Sequence, residues 1–308
     1  MHSHSHLPLQ NAKKFAWLSI AAAIVTITLK LLAWQFTGSV GLLSDALESG
    51  VNLVAAIVAL IALTVAAREP DEEHAYGHGK AEYFSSGVEG GLIILAAVGI
   101  FISAIPRLIH PQPLEQIGIG LAVSVVASIV NALVGWRLLA AAKQTRSIVL
   151  KADAEHLFTD VWTSIGVIIG VLLVSLTGWN RLDAVIAIAI GVNICFTGYR
   201  LVNDSIHGLL DTAIPAEDLA TVEAVLNHYS SEYGVVMHAL RSRESGTRRF
   251  VSFHVLVPGK WSVRQGHDLV GRIEHDIREA LPETTVFTHL EPIEEPESWN
   301  DTGLDGVG

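Results

Sequence analysis

The chain has 308 residues, half of them hydrophobic and only 17% charged, with a single cysteine, Cys195, and a formal net charge of −11. So little charge in so apolar a chain excludes an ordinary water-soluble globular protein and leaves an integral membrane protein. One cysteine excludes an intrachain disulfide framework and a cysteine-rich metal site, and the acidic balance gives no reason to expect nucleic-acid binding.

The first apolar run, 15–36, is too long for a cleavable signal peptide, and the Thr37-Gly38 that follows reads as a tight turn. Further runs at 40–67, 84–109, 117–141, 157–176 and 182–206 bring the total to six membrane helices. Residues 15–210 are therefore read as a six-helix transmembrane domain behind a histidine-containing leader, 1–14. The opening MHSHSH is either a loose metal-catching tail or a short polar leader with incidental histidines. Lys13, Lys14, Arg68, Lys80, Lys143, Arg146 and Lys151 fall on one side of the spans, against Arg107 and Arg181 on the other, which predicts that both termini are cytoplasmic. Lys30, late in the first span, is expected to snorkel to the outer interface.

Polar residues inside these spans carry the functional signal, because ionisable groups in a bilayer are costly and by default functional. The second span reads LLSDALESGVNL and sets Asp45, Glu48 and Asn52 along one helix face, with Asp45 the weaker candidate. The following loop, EPDEEHAYGHGKAE, spaces Asp71, His74 and His78 so that, if helical, they meet at one ion; a solvated acidic loop is the plainer alternative. Glu89 is a lone carboxylate among glycines in the third span and a candidate for the transport path. In KADAEHLFTD, at the head of the fifth span, His156 and Asp160 sit four apart on one face. They offer an imidazole nitrogen and a carboxylate oxygen as half a shell for a divalent transition metal.

Behind the last span the composition becomes soluble. Helical spacing at 216–231 and 262–281 and strand-like patterning at 235–244, 250–257 and 285–290 give the order α-β-β-α-β. This suits a ferredoxin-like, two-layer α+β domain over 211–295, small enough to gain from dimerisation, with an acidic disordered tail at 296–308. His238, His254, His267 and His289 are spread over its elements, with Glu291 two residues after His289. Singly they read as surface or packing residues; together they form a set that binds zinc without cysteine.

From about residue 12 to 292 the chain resembles the cation diffusion facilitator family, exporters of zinc, iron and similar divalent metals. The resemblance is carried by GSVGLLSDALESGVN, DEEHAYGHGKAE, LKADAEHLFTD and the histidines behind Asp211. It implies a transport site of Glu48, Asn52, His156 and Asp160, where zinc and iron exporters usually carry two aspartates in place of the first two. It implies a loop site of Asp71, His74 and His78, and a binuclear cytoplasmic site of His238, His254, His267, His289 and Glu291, the last replacing an aspartate. It also implies an ion pair between Lys80 and Asp211. The expected protein is a homodimer in the bacterial cytoplasmic membrane that exchanges a metal ion for protons by alternating access, with zinc first and iron, manganese, cobalt and cadmium behind it. Two rivals are a membrane-bound metal sensor, whose helices would not need intramembrane ligands, and a metal-dependent membrane enzyme, for which no nucleophile or substrate motif is present.

Overall fold

The computed structural model describes residues 7–37, 40–110, 118–179 and 181–299; the MHSHSH leader and residues 300–308 lie outside them. The chain divides into two compact units, Met1–Leu209 and Leu210–Gly308.

The first unit consists, over its described residues, of six long helices: α1 Leu7–Thr37, α2 Val40–Ala66, α3 Ala81–Ile109, α4 Gly118–Thr145, α5 Ile148–Thr177 and α6 Arg181–Leu209. Stretches of α1, α3, α4 and α6 are long and apolar enough to cross a membrane, and Asn52–Ala66 of α2 is a shorter apolar stretch. Helix α1 begins at Leu7, so residues 7–14, read from sequence as leader, belong to it. Helix α5 begins nine residues ahead of its apolar run. Ser147 starts it by accepting the Leu150 N–H on Oγ at 3.4 Å, and its first turns bury Val149, Leu150 and Ala152.

Two packing motifs organise this unit. Helices α1, α2, α4 and α5 share an alanine- and leucine-rich cluster of Ala12, Ala16, Ala59, Leu63, Ala141 and Leu150. Helices α3 and α6 meet along a glycine seam: a methyl group on Gly90 would lie 2.9 Å from the Gly198 carbonyl oxygen, and one on Gly198 would lie 2.8 Å from that of Gly90. Only residues without side chains allow helix backbones so close. The Ser205 hydroxyl donates to the Tyr83 carbonyl across the same contact.

The second unit runs α7 Ala216–Tyr233, β1 Val236–Ser245, β2 Arg248–Val257, α8 Val263–Ala280 and β3 Thr284–Pro292, the expected α-β-β-α-β. The sheet order is β1-β2-β3, with β1 antiparallel and β3 parallel to β2. Alternation along β2 turns Val251, Phe253 and Val255 into a core completed by Val222 and Leu226 of α7 and Leu269, Ile273 and Ile277 of α8. Helix α8 repeats its apolar residues every three or four positions and starts in a capping box between Ser262 and Gln265. Helix α7 ends at Gly234, whose φ of 65° lets its N–H close back onto the Ser230 carbonyl at 3.0 Å. Residues Pro296–Trp299, expected from composition to start a disordered tail, form a 3-10 turn held by the Trp299 indole N–H on the Ile293 carbonyl at 2.9 Å.

Candidate metal sites

The face predicted on α5 meets α2 inside the bundle. His156 is 5% and Asn52 7% exposed, and His156 Nε2 lies 2.6 Å from Asn52 Oδ1. The Asn52 amide donates to Asp160 Oδ2, which also accepts from Asn131 Nδ2 of α4 at 3.1 Å. Asn52, His156 and Asp160 thus form one contiguous polar constellation. A small polar cavity lined by Lys30, Ser49, Ser128, Asn131, Asp160 and Thr163 adjoins it. Asn131 is a constituent that sequence reasoning missed; its only signal is an amide in the apolar run SIVNALVG. Asp45 and Glu48 lie on α2, one to two turns before Asn52, and their side chains are outside what the structure describes.

Lys30 corrects the sequence expectation. It is 7% exposed and donates from Nζ to Ser49 Oγ at 2.7 Å, inside the bundle rather than at the interface. The bundle satisfies this charge with a hydroxyl on the neighbouring helix, where snorkelling would have used water.

Three further buried acids sit on α3 and α5. Glu89 is wholly buried in α3, and neither of its oxygens has a partner among the described residues. Asp153, 2% exposed and one turn before His156, accepts from Ser19 Oγ of α1 at 2.9 Å and lies within electrostatic reach of Glu89. Glu82, also wholly buried, accepts from Ser147 Oγ at 2.5 Å. Glu82 and Asp153 escaped the sequence reading, since both look like ordinary charges near span ends.

In the loop, Asp71, His74 and His78 do converge, although through turns and not through the helix that their spacing suggested. Gly77, at a φ of 84°, folds the chain back so that its N–H reaches the His74 carbonyl at 2.8 Å. Asp71 Oδ1 accepts the His74 backbone N–H at 2.7 Å and lies 3.2 Å from His74 Nδ1, while Oδ2 lies 3.3 Å from His78 Nε2. The His74 backbone N–H, foremost, holds the Asp71 carboxyl below its usual value of 3.8, and the two imidazoles act in the same direction. Lys80, just beyond the loop, donates to the Leu209 carbonyl at 3.0 Å.

In the second unit the strand register places His238 opposite His254, and His254 opposite His289, in one row across three strands. The row lies on the sheet face opposite the helices, because Phe253 and Val255 on either side of His254 point into the core. Glu291, two residues beyond His289, joins the row: its carboxylate lies 3.3 Å from His238 Nε2, 3.2 Å from His254 Nδ1 and 3.5 Å from His289 Nε2. His238, His254 and Glu291 can present three ligand atoms to one ion. His267 is exposed on α8, in the other layer, and belongs to none of the ligand groups among the described residues. Asp211, at the start of this unit, accepts from Arg243 Nη1 at 3.2 Å. His275, Asp276 and Glu279 form another group on α8. There the Tyr229 hydroxyl donates to Asp276 at 2.7 Å, and burial together with that carboxylate pushes the phenol up to about 12.

An apolar helical unit with a polar constellation buried at its α2–α5 contact, followed by an α+β unit with a histidine row, defines a multi-helix membrane protein equipped to handle metal cations. Comparison with known proteins makes the class specific. Residues 16–210 match the cation efflux transmembrane domain and residues 214–293 the cytoplasmic domain of cation efflux proteins. The chain belongs to the cation diffusion facilitator family, whose members are cation efflux transporters. An uncharacterized transporter of Synechocystis sp. (strain ATCC 27184 / PCC 6803 / Kazusa) is 50% identical over 94% of this chain and 93% of its own. The cation-efflux pump FieF of Klebsiella pneumoniae subsp. pneumoniae is 31% identical over 88% of this chain and 90% of its own. A solved structure described as "Mode of Action of a Putative Zinc Transporter CzrB (Zn form)" is 29% identical over 27% of this chain and 92% of its own, with a TM-score of 0.25.

Proposed function

We propose that this chain exports divalent metal ions from the cytoplasm in exchange for protons, as a homodimer, with zinc the first cargo to test and iron, manganese, cobalt and cadmium after it. The observation that carries this reading is the Asn52–His156–Asp160 constellation, an imidazole, an amide and a carboxylate within hydrogen-bonding reach of one another where α2 meets α5 inside the helix bundle. Nitrogen and oxygen donors of this kind suit borderline transition metals. Glu48 is assigned as the fourth ligand, one turn before Asn52 on α2, and Asp45 is its rival. Asp71, His74 and His78 form a second cation site in the loop. The row of His238, His254, His289 and Glu291 forms a third, at which metal stabilises the cytoplasmic unit and its dimer. Lys80 and Asp211 are assigned as an ion pair that links the loop to that unit. Both termini face the cytoplasm.

The test is uptake into proteoliposomes of labelled Zn, Fe, Mn, Co and Cd in parallel, with a pH-sensitive dye trapped inside. Metal accumulation matched by proton movement in the opposite direction is the expected result. Accumulation without proton movement would refute the exchange, and tight binding without accumulation would favour the sensor.

A further inference from the structure

We propose that Glu82 is a positioning residue that ties the loop cation site to the helix bearing the transport ligands, so that cation occupancy of the loop sets the transport rate. This rests on the reading of His156 and Asp160 as transport ligands given above. Glu82 is wholly buried and Ser147 is 1% exposed, yet Oε2 of the one accepts the hydroxyl of the other at 2.5 Å. Ser147 is the residue that starts α5, so its bond to Glu82 sets that carboxylate at the N-terminal end of the helix. A carboxylate there meets the positive end of the helix dipole.

The other end of the connection is equally direct. Glu82 lies one turn after His78, and the backbone between them is closed by hydrogen bonds from Ala81 to the His78 carbonyl at 3.0 Å and from Glu82 to the Gly79 carbonyl at 3.1 Å. His78 in turn pairs with Asp71 at 3.3 Å, with its own side chain only 9% exposed. A cation drawn between Asp71, His74 and His78 therefore pulls on the first turn of α3. Glu82 passes that displacement to the first turn of α5, and α5 carries His156 and Asp160 along its own axis. A wholly buried carboxylate anchored on a neighbouring helix is expensive to retain for packing alone, since an apolar residue would fill the same space without desolvating a charge.

The test uses the full chain in proteoliposomes with Zn2+ as the probe, each variant normalised to inserted protein. Glu82→Ala is expected to slow transport by about fivefold or more, in the range of ordinary coupling between sites. Glu82→Gln keeps an acceptor oxygen for the Ser147 hydroxyl and should recover part of the rate. Ser147→Ala, the milder change, should reproduce the loss, and the double variant should be no slower than Glu82→Ala. The decisive measurement adds His74→Ala: it should slow the wild type and leave Glu82→Ala unaffected. Independent, multiplying losses from His74→Ala and Glu82→Ala would overturn the proposal, as would wild-type rates in both Glu82→Ala and Ser147→Ala. His156→Ala in the same vesicles separates the two readings, because only wild-type transport there would refute the transport site itself.

Discussion

Replacing Asn52 with aspartate changes one atom in the middle of the proposed transport site. Asn52 Nδ2 donates to Asp160 Oδ2 while Oδ1 faces His156 Nε2 at 2.6 Å. With oxygen in place of that nitrogen, two carboxylates confront each other at a hydrogen-bonding separation. Two negative charges about 3 Å apart repel by roughly 5 kcal/mol at an effective permittivity of about 20. A divalent cation between them converts the repulsion into attraction to both. If the empty site relaxes away half of the strain, about 2.5 kcal/mol remains as a gain for the bound state, or about 60-fold in affinity. Zinc should benefit over manganese, because an anionic ligand has replaced a neutral one. Proteoliposome uptake over a range of Zn2+ and Mn2+ concentrations should show KM for Zn2+ falling by about that factor, with maximal rate falling too as release slows. The reasoning fails if Asn52→Asp leaves the metal profile unchanged while Asp45→Asn abolishes transport, a result that would place Asp45 at the cation instead.

His156→Ala and Asp160→Ala should each abolish uptake while the protein still inserts, and full uptake by either would dismiss the pair as ligands. Residues 210–299, which have their own core, should melt at a higher temperature with zinc, by about 2.7 kcal/mol of stabilisation at a hundredfold excess over Kd. The gain should vanish in His254→Ala, and an unchanged melting curve in the unaltered unit would count against the histidine row. Asp71 has its carboxyl held below 3.8, so its contacts with His74 should be intact above that value and be lost as pH falls through the lower, folded one. The His74 amide resonance should report this, and a midpoint at or above 3.8 would contradict the assignment.

What could be read in advance follows the range over which each signal acts. Apolar runs and helical spacing are local, so the six long helices, the α-β-β-α-β order and the shared face of His156 and Asp160 were all accessible from sequence. The start of α5 was less so, because its first turns carry Lys151, Asp153 and Glu155 and are helical by packing rather than by hydrophobic run. The loop triad shows spacing succeeding for the wrong reason: turns around Gly77 brought together what a helix was expected to align. Pairings between distant residues leave no local trace. Ser19 with Asp153, separated by 134 residues, and Ser147 with Glu82, separated by 65, needed the helix packing to become visible. The same applies to His267, which shares a ligand chemistry with its neighbours but sits in the helical layer, away from the strand row.

The glycine seam between α3 and α6 has a mechanical consequence. Where two helices touch through side chains, rotamer changes let them slide, as gears slip a tooth. Gly90 and Gly198 bring backbone against backbone, with Leu201 and Val202 of α6 and Ile93 and Ile94 of α3 locked close around the contact. Any axial shift would drive the next side chains on either helix into the opposing main chain, so the pair behaves as a single stiff strut. In the exchange proposed above, the movement would then fall to α1, α2, α4 and α5, which share a cluster of alanines and leucines. A methyl group at either glycine would wedge the strut open and disturb the frame itself, without touching a single cation ligand.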